Sequence, residues 1–423
     1  MSKVVRRRWV SDLAAGLPRR DRKACEYEAY IPDPLGGRSI SLDGDVAADV
    51  ADAERAMSRL DAEAVALADT EALARLLLRA ESVASSRIEG LEVGGRRLLR
   101  AEAARQLGEA ASDVTAAEVL GNIDAMLWAV RGVGNGGAIS LDQLLEVHRR
   151  LLAGTRLESH GGSLRAEQNW IGGSSYNPCS ATFVPPPPGL VGDLMDDLCA
   201  FCNDDSLPAV AQAAIAHAQF ETIHPFVDGN GRTGRALVHV ILRRRGLAER
   251  VLPPISLVLA TWSAGYVDAL MNTRYRGPAH SRAAHDGINA WIALFAAACH
   301  RAVEDAAQFE ERLADLQQSW RSRVGQIRSG SAVDLLIRAL PGAPIVTAAS
   351  AAVLIDRSFQ ATNLAIARLK EVGIVSQVNV ARRNRAFEAS EVIDTFTDLE
   401  RQLASPDGDT RSSAPARSVP RRR

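Results

Sequence analysis

The sequence predicts a mainly α protein, and three observations carry that reading. Leu73, Leu76, Leu77, Ala80 and Ala84 repeat at the i, i+3, i+4 spacing of an amphipathic helix. Phe295, Phe309, Leu313, Leu316 and Trp320 recur near that period across residues 287–324. Strand signals are sparse, and aromatic residues make up only 5% of the chain. Helix boundaries follow from local chemistry. Asp69 or Thr70 caps the first of these helices. An alanine-rich helix covers Ala209 to Ile223, with Phe220 and Ile223 on one stripe. The next runs from Thr233 to Arg245, with Gly246 as its stop.

At 423 residues the chain exceeds one ordinary domain. It reads as an N-terminal helical region (1–130), a helical core (131–325), a C-terminal module (326–403) and a disordered tail (404–423), where Ser, Pro, Asp, Gly and Arg dominate. Residues 132–137 form a glycine-rich joint. Residues 172–188, ending in four prolines, cannot be helical and read as an extended loop or hairpin. A formal net charge of -1 gives no global field for nucleic acid or a membrane surface. The basic runs at Arg6, Arg7, Arg8, Arg19, Arg20, Arg22 and Lys23, and at Arg417 and Arg421 to Arg423, read as solvated ends. Five cysteines make no disulfide scaffold. Cys199 and Cys202 sit in an apolar helical stretch as buried thiols rather than zinc ligands. The sequence has no export signal and no apolar span, so the default expectation is a cytoplasmic protein that does not enter a membrane.

The C-terminal module opens on a short helix between Ser329 and Pro344. Thr347 caps a helix through Ile355, Ser358 opens another from Phe359 to Val372, and Gly373 stops it. Residues 374–376 with Ala386 and Phe387 frame a hairpin around Arg382, Arg383, Asn384 and Arg385. A helix–turn–helix followed by a basic hairpin resembles a winged helix. Its second helix is weakly basic (Arg368 and Lys370 against Glu371), so DNA contact and protein contact or homodimerisation both stand as roles.

The chemistry concentrates at residues 224–235, HPFVDGNGRTGR. Gly229, Gly231 and Gly234 satisfy a dinucleotide-binding glycine pattern, but that fingerprint must follow a buried strand, and here a helix precedes it. Gly229 and Gly234 have P-loop spacing, yet Arg235-Ala236 replaces the Lys-Ser/Thr pair. Glu221-x-x-His224 matches half of a di-iron site, without a second copy. What remains is an imidazole, a carboxylate, a glycine nest before a helix and two guanidiniums one turn apart. That set suits metal-assisted phosphoryl or nucleotidyl transfer.

This segment resembles the Fic (filamentation induced by cAMP) motif, HxFx(D/E)GNGRxxR, at every defined position. Residues 165–173 (RAEQNWIGG), 183–187 (FVPPP) and 26–35 (EYEAYIPDPL) are also similar to Fic proteins, so the likeness covers about residues 20–300. It implies a mainly α Fic-fold core with a small β-hairpin flap at 174–188 and AMP transfer from Mg·ATP to Ser, Thr or Tyr hydroxyls. It implies His224 as general base, whose reference pKa near ~6.5 suits that task. Asp228 would hold Mg²⁺. Gly229, Asn230, Gly231 and Gly234 would cradle the nucleotide, with Asn230 on the α-phosphate, Arg232 on the β-phosphate and Arg235 on the γ-phosphate. Phe226 would anchor the loop in the core. A target's backbone would pair with the flap by strand addition. Residues 85–90, SSRIEG, resemble the family's inhibitory motif. Ser85 and Glu89 would share a helix face, and Glu89 would occupy Arg235. The same glutamate supports AMP removal in some relatives. Transfer of another nucleotide such as UMP, or a DNA-binding regulator that uses this domain as a sensor, are the other readings. The sequence leaves the target protein unidentified.

Overall fold

The computed structural model describes the chain except for residues 11–18, 65–69, 107, 109–112, 133, 135, 380–384 and 404–423. The expected cap Asp69, the hairpin residues Arg382 to Asn384, the terminal arginines 417 and 421–423 and the expected tail therefore lie outside the described residues. In chain order the elements begin with strands β1 (Lys3–Trp9) and β2 (Cys25–Ile31). Helices α1 (Gly44–Ala64), α2 (Thr70–Ile88), α3 (Gly95–Gln106), α4 (Val114–Gly132), α5 (Leu141–Leu152) and α6 (Val191–Cys202) follow. Next come α7 (Ala209–Ile223), α8 (Asn230–Arg244), α9 (Ile255–Thr261), α10 (Ser263–Asn272) and α11 (Arg282–Val324). The last stretch runs α12 (Ala332–Ala339), β3 (Ile345–Val346), α13 (Ala348–Leu354), α14 (Phe359–Glu371), β4 (Ser376–Asn379), β5 (Arg385–Glu388) and α15 (Ser390–Leu403). The mainly α expectation holds, with small antiparallel sheets. Among the described residues no helix is long and apolar enough to cross a membrane.

The chain divides into two compact units, each made of separated stretches. The first comprises Met1–Glu54, Trp128–Gly246 and Ala264–Ala297. Its centre is α7, which buries every residue except Glu221. A helix apolar on all sides belongs in a core, and its alanines let α6 and α8 pack close. Trp291, fully buried, donates its indole N–H to the Ala214 carbonyl at 2.7 Å. α8 likewise buries all but Arg243. The close approach of α7 and α8 requires a glycine at 234: a Cβ there would stand 2.8 Å from Glu221 Oε1 and 3.0 Å from Phe220 Cδ1. α8 starts at Asn230, three residues before the expected start at Thr233, so Asn230, Gly231 and Arg232 form its first turn.

Two features of this unit depart from the sequence reading. The basic run Arg6 to Arg8 is part of β1, paired antiparallel with β2 so that Arg6 faces Glu28 and Arg8 faces Glu26. Opposite charges across a strand pair favour that register. Residues 172–188 build no ladder: they close through a single antiparallel bridge, Ile171 with Phe183, and contain a 3₁₀ turn at Pro178–Ser180. Gly172 and Gly173 lie at φ 74°, and the prolines remove donors.

The second unit comprises Arg55–Leu127, Leu247–Ser263 and Ala298–Arg423. Within it α2 packs on α9, and the buried Glu81 carboxylate accepts from the Ser256 N–H at 2.7 Å and from the Ser256 hydroxyl. Asp61 accepts three backbone N–H groups, from Glu249, Arg250 and Val251. Toward the C-terminus, α12, α13 and α14 surround a core of Trp320, Leu336, Ile337, Leu369 and Val392. A three-stranded antiparallel sheet of order β3-β5-β4 completes it. Thr347 and Ser350 form a capping box on α13, and Ser358 caps α14 at Ala361 N–H, as their residue types indicate. α15, which the sequence reading did not anticipate, packs against α3 and α9.

Cys199, Cys202 and Cys299 are buried thiols. Cys25 and Cys179 form a disulfide across 154 residues of sequence, a pairing no local spacing signals. It joins β2 to the 3₁₀ turn after Ser174. Closing a loop of this length removes roughly 4–5 kcal/mol of unfolded-chain entropy in the chain-entropy account. Cys25→Ser or Cys179→Ser should therefore lower the unfolding free energy by about 2–5 kcal/mol under oxidising conditions. Dithiothreitol should do the same to the wild type and nothing to either variant. Urea titrations that coincide with and without reductant would show that the bond contributes no stability.

Candidate active site

The site is built where α7 ends and α8 begins. Pro225 cannot donate to an α-helical ladder, so α7 stops at Ile223 and His224 becomes its C-cap in the left-handed region, φ 50° and ψ 61°. Left-handed backbone is costly for a residue with a Cβ and needs external support. Arg165 supplies it from the preceding loop. Its Nε donates to the His224 carbonyl at 2.9 Å and its Nη2 to the Pro186 carbonyl at 2.5 Å and that of Ile223 at 3.3 Å. Nη1 donates to the Glu167 carbonyl at 3.1 Å. Burial pulls the Arg165 pKa down to about 10, which leaves it a cation at neutral pH.

The loop from His224 to Gly229 is fixed from three sides. Phe226 is fully buried, as expected of an anchor, and stacks on His148 with centroids 3.7 Å apart. Gly162 N–H donates to His148 Nδ1 at 3.1 Å, so Nε2 carries the hydrogen it gives to the Asp228 carbonyl at 3.0 Å. Asn230 Oδ1 accepts from Phe226 N–H at 2.8 Å, and its Nδ2 donates to the Phe226 carbonyl at 2.9 Å. Gly229 sits at φ 77° as N-cap of α8, and a Cβ there would come within 2.8 Å of Leu151 Cδ2. Only glycine fits.

The first turn of α8 has the makings of an anion seat. Among the described residues no side chain caps it, so its leading N–H groups and the helix dipole face outward. Arg232 is 4% exposed, and its Nε and Nη1 have no hydrogen-bond partner among the described residues. A buried guanidinium with two unused donors is costly unless a ligand completes it. Asp228 lies 3.6 Å from Arg232 Nη2, its side chain half exposed, while its Oδ1 accepts from Gly229 N–H at 2.7 Å. One outward carboxylate beside an anion seat fits Mg²⁺, which is ordinarily held by one or two carboxylates plus phosphate and water oxygens. Arg235, one turn on, is 2% exposed, and its charge acts on His217.

The imidazole of His224 has Asn169 Nδ2 at 2.9 Å and Asn230 Nδ2 at 3.2 Å from Nδ1. Its pKa is pushed down to about 3 by burial first and then by the Arg165 and Arg274 cations. That corrects the sequence expectation of an ordinary value. The ring is neutral at physiological pH, the form a base needs.

The structure thus brings His224, Asn230 and the first turn of α8 together, and sets Asp228 beside Arg232. Ser85 lies buried in α2 of the second unit. α2 closes at Ile88, so Glu89 stands exposed in the turn after the helix, with Gly90 at φ 81°. Sequence reasoning missed His148 and gave Asn169 and Arg165 no roles. Both latter residues lie in the quoted 165–173 stretch, whereas nothing local marks His148.

Comparison with known proteins bears on this site directly. Residues 138–242 match the Fic/DOC family, and residues 47–131 match the Fic/DOC family N-terminal model. The chain is 37% identical over 118 residues to protein adenylyltransferase fic-1 of Caenorhabditis briggsae, covering 27% of this chain and 21% of that protein. It is 37% identical over 139 residues to protein adenylyltransferase Fic of Drosophila virilis, covering 32% and 27%. The match therefore spans about a quarter of those relatives' length. A Fic family protein from Desulfovibrio desulfuricans G20 superposes with a TM-score of 0.52 at 20% identity, over 85% of this chain and 98% of that one, which shows a shared fold.

The partly buried His224 and the fully buried His217 give a pH test of this geometry. His217, fully buried and 2.7 Å from the Tyr266 hydroxyl, is also pushed down to about 3 by burial and by Arg235. Between the unfolded pKa near ~6.5 and the folded values, the unfolded chain binds protons at both rings and the folded chain does not. Stability from these rings is complete above about pH 6.5 and falls with acidification, by roughly 3 kcal/mol per pH unit near pH 5. Urea titrations from pH 7 to 5 should show the fall, and His217→Gln should reduce its slope. A pH-independent unfolding free energy would contradict the burial. The chain carries a Fic/DOC family domain at residues 138–242, preceded by a Fic/DOC family N-terminal domain at 47–131.

Proposed function

We propose that this chain is a protein adenylyltransferase that moves AMP from Mg·ATP to a Ser, Thr or Tyr hydroxyl of a target protein. The observation that carries the reading is the buried Arg232, with two unused donors at an uncapped helix N-terminus, a few residues from a neutral imidazole. The relatives named protein adenylyltransferase agree with it. His224 takes the hydroxyl proton as the oxygen bonds to the α-phosphorus; the bond from that phosphorus to the α–β bridging oxygen breaks, and pyrophosphate leaves. Gly229, Asn230, Gly231 and Gly234 shape the seat, Arg232 meets the β-phosphate and Arg235 the γ-phosphate. Mg²⁺ held by Asp228 would neutralise charge developing on the phosphates. UMP in place of AMP would use the same seat.

Control belongs to Glu89, which in this reading pairs with Arg235 in the resting protein while Ser85 supports the contact. Residues 326–403 serve as a winged-helix module after the core at 131–325 and the inhibitory region at 1–130. The order β3-β5-β4 with α12 to α14 supports that assignment. Phe359 (59% exposed) and Leu364 (67% exposed) on α14 favour a protein partner, including a second copy, over DNA; a mobility-shift assay with salt titration tests the DNA alternative. The protein would act in the cytoplasm.

His224→Ala should lower transfer of labelled AMP by about 10²–10⁴-fold while ATP still binds. Near-normal labelling would remove the base assignment. Asp228→Ala should weaken Mg²⁺-dependent nucleotide binding. Glu89→Gly should raise labelling of lysate proteins by roughly one to three orders of magnitude, at ~1.4 kcal/mol per tenfold. The double variant Glu89→Gly, Arg235→Ala should lose that gain. If Glu89→Gly labels no better than wild type while His224 is essential, Glu89 is an ordinary helix-end residue.

A further inference from the structure

We infer that Asn169 is the positioning residue of His224: its amide fixes the neutral imidazole as the Nε2–H tautomer, so the resting protein holds its base with the lone pair turned inward. The inference rests on the reading of His224 as the base.

The argument begins with the orientation of two amides. Asn169 Nδ2 lies 2.9 Å from the Phe226 carbonyl and 3.3 Å from the His224 carbonyl. Carbonyl oxygens only accept, so the atom facing them must be the nitrogen. That same nitrogen lies 2.9 Å from His224 Nδ1. Asn230 is fixed independently, since its Oδ1 faces the Phe226 N–H and its Nδ2 the Phe226 carbonyl. Its Nδ2 lies 3.2 Å from the same Nδ1. Two amides, each oriented by other partners, therefore present N–H groups to one ring nitrogen. A hydrogen on Nδ1 would collide with both, so Nδ1 accepts and Nε2 carries the proton.

The consequence concerns timing. A ring in this tautomer donates from Nε2 and cannot take a hydroxyl proton there. Transfer through Nε2 requires Nε2 to release its proton to water and Nδ1 to gain one, with no net change in charge. Asn230 and Asn169 must then stop donating to Nδ1. Turning the Asn169 amide over would set its Oδ1 against the Phe226 and His224 carbonyls, so the exchange requires the ring to move away from both amides. The charged groups that act on the ring, Arg165 and Arg274, disfavour imidazolium in either tautomer, so the exchange is between neutral forms.

The test uses the full chain labelled with ¹⁵N-histidine, with the His224 ring signals assigned by their loss in His224→Gln. Wild type should give a pyridine-like Nδ1 and a pyrrole-like Nε2. Asn169→Asp, an acceptor in place of a donor, should invert the two. Asn169→Ala should shift them toward a tautomer mixture, and serves if the Asp variant folds poorly. In transfer assays Asn169→Ala should change kcat by about tenfold or more with the KM for ATP little altered, and Asn169→Asp should move the acid limb of the pH profile upward. A pyrrole-like Nδ1 in the wild type, or ring signals identical in wild type and Asn169→Ala, overturns the inference. Should His224→Ala transfer normally while the tautomer still follows Asn169, the base assignment fails and the tautomer lock stands.

Discussion

The site depends on one strained residue, His224, held at φ 50° where α7 ends. For an L-residue other than glycine this conformation costs on the order of 1–2 kcal/mol. It persists because Arg165 spans the carbonyls on either side of the bend and ties them to Pro186 and Glu167. One buried cation thus joins the end of α7, the loop at 165–167 and the last part of the proline-rich segment. Charge-assisted bonds to carbonyls are about twice as strong as neutral ones, and a neutral replacement would leave several buried acceptors unmet. The bend turns an imidazole toward the start of the next helix; a glycine could make the bend but would carry no ring.

The second constraint is the tight contact of α7 with α8. It requires Gly234, with Glu221 and Phe220 against its Cα, and it buries Arg232 and Arg235 in the helix that begins at the bend. Burying guanidinium groups is unfavourable unless their donors are met. The fold tolerates this because α7 is apolar on nearly every side and anchors the unit through Trp291 and Phe220. Stability gained in that core offsets the cost of the two Arg232 donors that have no partner among the described residues.

How much of this was legible in the sequence depended on whether the signal was local. Helix periods, the Thr347 and Ser358 caps and the stop at Gly373 could be read because each is set by neighbours within four residues. The twelve-residue motif could be read because its glycines, histidine and arginines are contiguous. The start of α8 at Asn230 escapes the sequence reading because three glycines between 229 and 234 disfavour a helix, whereas the fold needs Gly234 in the contact with α7. The Cys25–Cys179 bond, the stacking of His148 on Phe226 and the β1–β2 pairing join residues far apart in sequence or depend on a register that a basic run conceals. The low pKa of His224 likewise follows from burial beside Arg165 and Arg274, which one-dimensional spacing does not convey.

The segment at 172–188 is held from both sides, and that bears on how it can be used. On the inner side Arg165 and Gln168 bond the Pro186 and Pro185 carbonyls. On the outer side Asp21 accepts from the Ser174 hydroxyl at 2.7 Å and from Asn177, Trp9 packs edge-on against Trp170, and Cys179 is bonded to Cys25. The Tyr30 N–H donates to the Val184 carbonyl. A strap fixed this way has little conformational entropy left to lose to anything that binds it. The segment is thereby tied at one end to the bend at His224, through Arg165, and in its middle to β2, through Cys179.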